Sequence, residues 1–262
     1  MILDEIVENR RQEVETRKKD VPEESLLKML KERRRFADFR AAISGDDDRV
    51  KLICEIKKAS PSAGVIKDDF DPVDMARRYE AGGADALSVL TEEKYFLGRL
   101  EHISAIREGG VALPILRKDF ICDLYQVVEA AAFGADAILL IVGVMPPADI
   151  RTAMQACAEY GLVAVVEVHT QDQLEEAVDV AAGIIQIKNR ALRSVRVDLG
   201  TTEKLAPRIP RGTVVISASG IKTPEDVSRL KGLGVDAVLI GETLMRHPDP
   251  AAFIKQLAAV SR

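Results

Sequence analysis

The sequence predicts an α/β protein built as a (β/α)8 barrel behind an N-terminal helical extension, and three observations carry that prediction. From residue 51 onward, short β-branched runs alternate with amphipathic helical stretches, the pattern of βα units around a parallel sheet, and the chain holds eight of them. A Gly-Ala-Asp-Ala motif or its close variant recurs before three strands, at 83–86, 134–137 and 234–237, separated by two and then four units of about 25 residues. Finally, 262 residues with 47% hydrophobic side chains suit one large barrel domain over 1–262.

The elements follow in order. Residues 1 to about 47 are highly charged, with Ile2, Leu3, Ile6 and Val7 and then Leu26, Leu27, Met29 and Leu30 at helical spacing. They predict two surface helices that cap the barrel, with a lid or a partner contact as the alternative role. Strands are expected at 51–57, 86–91, 114–119, 137–142, 163–168, 184–189, 213–218 and 237–240. The glycine of each repeat suits a helix C-terminal cap just before the next strand.

A net charge of −5 and an acidic pI near 5.5 argue against a nucleic-acid partner, while leaving room for a local basic pocket that takes a small anion. Cys54, Cys122 and Cys157 are too few and too scattered for a disulfide framework or a zinc site, and their odd number suits a reducing, cytoplasmic setting. No apolar run approaches the roughly 18 residues of a membrane span, and the first ten residues, with Glu5, Glu8 and Arg10, lack a signal-peptide core. The charged helical face points to a monomer.

Chemistry is expected at the carboxyl ends of the strands. On the first strand, alternation puts Glu55 and Lys57 on one face and Cys54 and Ile56 on the other. Burying two such charges costs several kcal/mol each unless they meet one another, a ligand or water. The third strand ends Leu116-Arg117-Lys118-Asp119-Phe120; with Lys118 inward, Arg117 faces out. The fifth carries one carboxylate, Glu167, and the sixth brings Gln186, Lys188 and Arg190 with matching parity. Ion pairs at a barrel rim could account for any one of these residues. Two lysines and two carboxylates converging in one mouth, however, are general acid/base equipment. Ser217-Ala218-Ser219-Gly220 and Ile240-Gly241-Glu242-Thr243 end the last two strands, where glycine lets backbone N–H groups approach an anion and Arg190 can add a clamp. His102, His169 and His247 are expected to be structural or solvated, and no cysteine has a histidine placed to activate it.

These residues sit in long segments that resemble the indole-3-glycerol-phosphate synthase family, whose fold is the TIM barrel. The matching stretches are CEIKKASPS at 54–62, LTEEKYFLG at 90–98, LRKDFI at 116–121, Glu167-Val168-His169, NRAL at 189–192, SASGI at 217–221 and IGETLM at 240–245. The resemblance covers essentially the whole chain and implies a cofactor-free, metal-free lyase of tryptophan biosynthesis. Such an enzyme closes the indole ring of 1-(2-carboxyphenylamino)-1-deoxyribulose 5-phosphate, losing carbon dioxide and water. By that resemblance Lys118 is the general acid, Lys57 pairs with the anthranilate carboxylate, and Glu55 and Glu167 are acid/base partners. Ser60, Arg190, Ser219, Gly220 and Gly241 map to substrate and phosphate contacts and Phe96 and Phe120 to an aromatic wall, and Lys188 and Glu242 are added as candidates for the same contacts.

The sequence departs from the family pattern at four places. Lys188 stands where Asn is usual, Ala218 where a glutamate is, Gln186 where a small glycine is, and Ala63 where a basic residue is common. Two accounts fit. In one, these are tolerated changes in a working synthase. In the other, the barrel has been repurposed, by nature or by engineering, with Lys188 as a Schiff-base amine for aldol-type chemistry, with Glu55 or Glu167 as a proton-abstracting base, or as a non-catalytic phosphosugar-binding scaffold.

Overall fold

The structure, a computed structural model, describes residues 2–32, 37–44, 49–190 and 197–260. Eight parallel strands close into a barrel: β1 (Lys51–Ile56), β2 (Ala86–Leu90), β3 (Ile115–Lys118), β4 (Ala137–Ile141), β5 (Val163–Val168), β6 (Ile184–Lys188), β7 (Val214–Ala218) and β8 (Ala237–Ile240). Neighbours pair in chain order, and β1 closes the ring by pairing with both β2 and β8. The strands lie where the sequence pattern places them. Most stop one residue early, at Lys57, Thr91, Asp119, Val142 and Asn189, where the backbone leaves the sheet at the barrel mouth.

β-branched and leucine side chains fill the barrel, and helices cover its outside, as buried parallel strands require. Helix starts are encoded locally. Asp71 accepts the Val73 and Asp74 N–H groups ahead of the helix Pro72–Gly82, and Thr223 forms a capping box with Asp226 ahead of Pro224–Lys231. Gly83 and Gly134 cap their helices in the left-handed region, at φ 88° and 103°. Gly234, the third expected cap, instead lies two residues beyond its helix's cap, Gly232, although it too has a positive φ of 75°.

The aspartate of each repeat has a role that spacing alone did not reveal. Asp85, Asp136 and Asp236 accept the N–H of Leu52, Ile115 and Val215 at 2.7, 2.8 and 2.7 Å, while their own N–H groups donate back to the same three carbonyls. Each motif therefore stitches the foot of one strand to the start of the next. This is the closed end of the barrel, opposite the mouth.

Among its described residues the extension holds three helices in place of the expected two: α1 (Ile2–Asp20), α2 (Glu23–Glu32) and the short α3 (Phe39–Ile43). Phe39 and Ile43 are fully buried in the main core, and Val14 and Leu26 pack on Tyr125 and Val128 of the helix after β3. The extension is thus clamped to one side of the barrel. Among the described residues no helix is long and apolar enough to cross a membrane.

Candidate active site

Glu55 and Lys57 leave β1 together at the mouth, and Lys57 Nζ donates to Glu55 Oε1 at 2.5 Å. Lys118, at the end of β3, reaches the other oxygen of Glu55 at 3.5 Å. Lys188, ending β6, lies 3.7 Å from Glu167 Oε2 of β5, and the Gln186 side-chain amide donates to that same oxygen. The β5–β6 register, with Glu167 opposite Gln186, brings that amide within reach. The five charged groups thus form one cluster of three lysines and two carboxylates. Their side chains are 5–17% exposed.

Electrostatics divides the lysines. Burial disfavours charge on Lys118, but Glu55 and Glu167 outweigh it and hold the amine above the usual lysine value. Lys188 goes the other way: burial pulls it down to about 8, Glu167 only partly opposes this, and Lys118 adds repulsion. Burial also works against charge on Glu55 and Glu167. Lys57, Lys118 and Lys188 override it for Glu55, and Lys188, Lys118 and His169 for Glu167, leaving both carboxyls below the ordinary glutamate value. Asp119 is likewise held low, because Arg10 and Arg117 outweigh its burial.

A pH dependence follows. The folded state binds fewer protons at these three carboxylates than the unfolded chain does, so their stabilisation is complete above the ordinary values of 4.5 and 3.8 and is lost as pH falls below them. The urea midpoint is expected to hold between pH 7 and 5 and to drop steeply by pH 3. A midpoint unchanged at pH 3 counts against the charge cluster as drawn.

The rest of the mouth is shaped by backbone geometry. Ser60 lies in a two-residue hairpin strand after β1, paired with Gly64–Val65, and its Oγ accepts the Ala63 N–H at 3.2 Å. Glu92, fully buried, accepts the N–H groups of Lys94, Tyr95 and Phe96 and so fixes the loop that presents Phe96. Phe96 and Phe120 meet with ring centroids 6.1 Å apart, in a tilted pair. After β7, Ser219 and Gly220 both adopt positive φ, 74° and 90°, and a Cβ on Gly220 would press into Val197. Gly241, after β8, lies against the Glu55 side chain, where an added Cβ would meet Cδ at 3.0 Å and Cβ at 3.2 Å. Thr243 Oγ1 donates to the Ile221 carbonyl at 3.1 Å, tying these two loops together. Arg190 donates to Ser62 Oγ at 2.8 Å and lies 3.8 Å from Glu242, which also accepts from Arg246.

The structure thus brings Glu55, Lys57, Lys118, Glu167 and Lys188 into one cluster and places Ser60, Phe96, Phe120, Arg190, Ser219, Gly220, Gly241 and Glu242 in the segments that follow the carboxyl ends of the strands, while Ala191 and Leu192 of the NRAL segment lie outside the described residues. Glu242 is placed as the partner of two arginines, a position suited to orienting Arg190. Arg117 does face outward, buried against the Gln126 carbonyl, Asp119 and Glu129. His102 is half-buried against Phe70, and His247 stacks on Phe253. Burial pushes the thiols of Cys122 and Cys157 up to about 11 and about 12, and Cys54 higher still, which leaves all three poor nucleophiles.

Three residues escaped the sequence reading. His169, expected to be structural or solvated, has only 5% of its side chain exposed, and its Nε2 is 3.6 Å from Glu167 Oε1. It stands two residues after Glu167, so strand parity already pointed it the same way. Asn189, buried, donates to Ser217 Oγ at 2.9 Å and to the Ser219 carbonyl at 3.0 Å, which pins the strained turn. Ser62 holds Arg190, a contact across 128 residues that only the fold creates.

Solved structures share this architecture. 3-Hexulose-6-phosphate synthase from Salmonella typhimurium superposes with a TM-score of 0.66 at 18% identity, covering 80% of this chain and 98% of that one. Thiamine phosphate pyrophosphorylase from Pyrococcus furiosus gives 0.62 at 18% identity over 82% of this chain and 96% of that one. At such identity they speak to the fold alone. Sequence relatives are nearer. The indole-3-glycerol phosphate synthase of Dehalococcoides mccartyi (strain CBDB1) is 46% identical over 259 residues, 98% of this chain and 100% of that protein. The enzyme of the same name from Thermoanaerobacter pseudethanolicus is 46% identical over 249 residues, 95% and 94% of the two chains. The family model for indole-3-glycerol phosphate synthase matches residues 3–257, and the chain belongs to that family.

Proposed function

We propose that this protein closes the indole ring of 1-(2-carboxyphenylamino)-1-deoxyribulose 5-phosphate, releasing carbon dioxide and water without a cofactor. The observation that carries the reading is the cluster of Glu55, Lys57, Lys118 and Glu167 in a single mouth. Lys118, the lysine whose charge is favoured, donates a proton to the substrate carbonyl as the aromatic carbon attacks. Lys57 receives the anthranilate carboxylate, exchanging its pairing with Glu55 for one with substrate. Glu55 and Glu167, both ionised at neutral pH, accept and return protons through decarboxylation and dehydration. Phe96 and Phe120 face the aromatic ring, with Ser60 at the rim beside them. Arg190, oriented by Ser62 and Glu242, joins the N–H groups around Ser219, Gly220 and Gly241 to seat the phosphate, and Lys188 adds positive charge at the substrate's oxygens.

The partner is then a small anionic phosphosugar, with no role for nucleic acid, and the protein works as a monomer; light scattering of the purified chain checks that last point. The decisive assay follows indole fluorescence on adding the carboxyphenylamino-deoxyribulose phosphate to the purified protein and to the double variant Lys188→Asn/Ala218→Glu. Turnover is expected in the parent. A silent parent beside an active double variant overturns the reading and assigns the loss to the departures on β6 and β7.

A further inference from the structure

The three pocket lysines are not equivalent in their partners. Lys57 holds one oxygen of Glu55 at 2.5 Å. Lys118 takes the other at 3.5 Å and also feels Glu167. Among the described residues Lys188 has one carboxylate oxygen within ion-pair distance, at 3.7 Å, which the Gln186 amide already occupies, while His169 sits on the opposite oxygen of the same carboxylate. On its other flank the register pairs Lys188 with Ala218, whose side chain offers no acceptor. Beside it stands the Lys118 ammonium. With 17% of its side chain exposed, Lys188 is within reach of a molecule in the mouth. A lysine crowded by a second cation and short of carboxylate is the arrangement that frees an amine to act as a nucleophile.

We propose that Lys188 is a second reactive centre, which forms an iminium with a small phosphorylated hydroxy-ketone and cleaves β-hydroxy ketones of that class by a retro-aldol step. The neutral amine adds to the carbonyl carbon. Lys118 protonates the resulting hydroxyl, which leaves as water, and the iminium forms. The β-hydroxyl proton passes to Glu167 as the carbon–carbon bond breaks; its electron pair moves into the iminium, and an aldehyde departs. Glu167 returns the proton to the enamine carbon. Water then adds, its surplus proton restores Lys118, and the ketone leaves as the Lys188 amine is freed. No oxidant or reductant enters. The groups facing Lys188 that set its titration are Glu167 on β5 and His169 just after it, Lys118 on β3, and Glu55 on β1 with Lys57 just after it. With the amine brought to about 8, a useful neutral fraction exists at mildly alkaline pH. The proposal rests on the synthase reading only for the phosphate seat at Arg190, Ser219 and Gly220.

The test incubates the full chain with dihydroxyacetone phosphate or with dihydroxyacetone, reduces with cyanoborohydride, and maps the adduct by peptide mass spectrometry. The expected result is a single modified lysine, Lys188, with trapping that rises through pH 8 and falls at least tenfold in both Lys188→Asn and Lys188→Met, each checked for a folded far-UV spectrum. Release of dihydroxyacetone phosphate from fructose 1-phosphate, lost in the same two variants, is the matching turnover. An adduct on Lys57 or Lys118, or none on any pocket lysine, overturns the proposal, and peptide mapping of the parent decides this even if a variant fails to fold. Trapping at least tenfold stronger for the phosphorylated probe supports the phosphate seat. Equal trapping of the two probes overturns that seat and leaves the amine standing, so the failures are told apart.

Discussion

Lys118→Met is expected to lower kcat for indole formation by about 10³-fold, within the range of about 10²–10⁴ attributed to a positioned proton donor, with KM changed much less. The reason lies in how the cluster divides its protons. Glu55 and Glu167 hold Lys118 charged through the neutral range, which makes it the dependable acid among the three lysines, whereas Lys188 is brought to about 8. A donor held so firmly is not matched in pKa to neutral catalysis. Its contribution must therefore come from placement against the substrate carbonyl, and methionine, close in length but without a proton, removes that contribution alone. The fold should survive, because Glu55 keeps Lys57 at 2.5 Å and Glu167 keeps Lys188 at 3.7 Å. Lys57→Met is the contrasting case, since a residue that grips the substrate carboxylate shows mainly in KM. If Lys118→Met stays within tenfold of the parent, the acid lies elsewhere, and Lys57 becomes the first replacement to examine.

The barrel was legible because its signals are local. β-branched runs, helix caps and the glycine-aspartate repeat each act within a few residues, and parity along a strand placed Glu55 with Lys57 and Gln186 with Lys188 and Arg190. Partners that lie far apart in sequence were not legible. The repeat was read for its glycine, yet its aspartate receives an N–H from a strand 21 or 33 residues earlier, a bond that only the closed sheet creates. Asn189 sits one residue after the departure at Lys188, and its own task, holding the Ser219 carbonyl from 30 residues away, has no pattern in the sequence. Arg10 is the clearest case. In a helix crowded with charge it reads as one more solvated side chain, but it is 1% exposed because Asp119 meets it 109 residues later.

That pairing sets the second large effect: Asp119→Ala is expected to cost about 4 kcal/mol of unfolding free energy, the range of about 3–5 found when one partner of a buried ion pair is removed. The Asp119 carboxylate is fully buried. One oxygen accepts from Arg10 at 2.5 Å, Thr91 at 2.5 Å and Arg117 at 3.0 Å, and the other from the Phe120 N–H at 2.8 Å. Without it, among the described residues Arg10 keeps Glu13, and Arg117 keeps Glu129, the Gln126 carbonyl and Thr91, so two guanidinium groups remain buried with fewer acceptors. Asp119→Asn, which preserves shape and part of the bonding, should cost distinctly less. This variant also decides what the extension is for. A lid on the mouth has to lift, and lifting α1 would strip Arg10 from Asp119 and take Val14 out of its cluster with Tyr125 and Val128, so the contacts favour a fixed cap that steadies the residue next to Lys118. Amide exchange in α1 should then be slow in the parent and quicken together with global unfolding in Asp119→Ala. Fast exchange of α1 in the parent, or a loss of less than about 1 kcal/mol in the variant, would return the extension to the role of a lid.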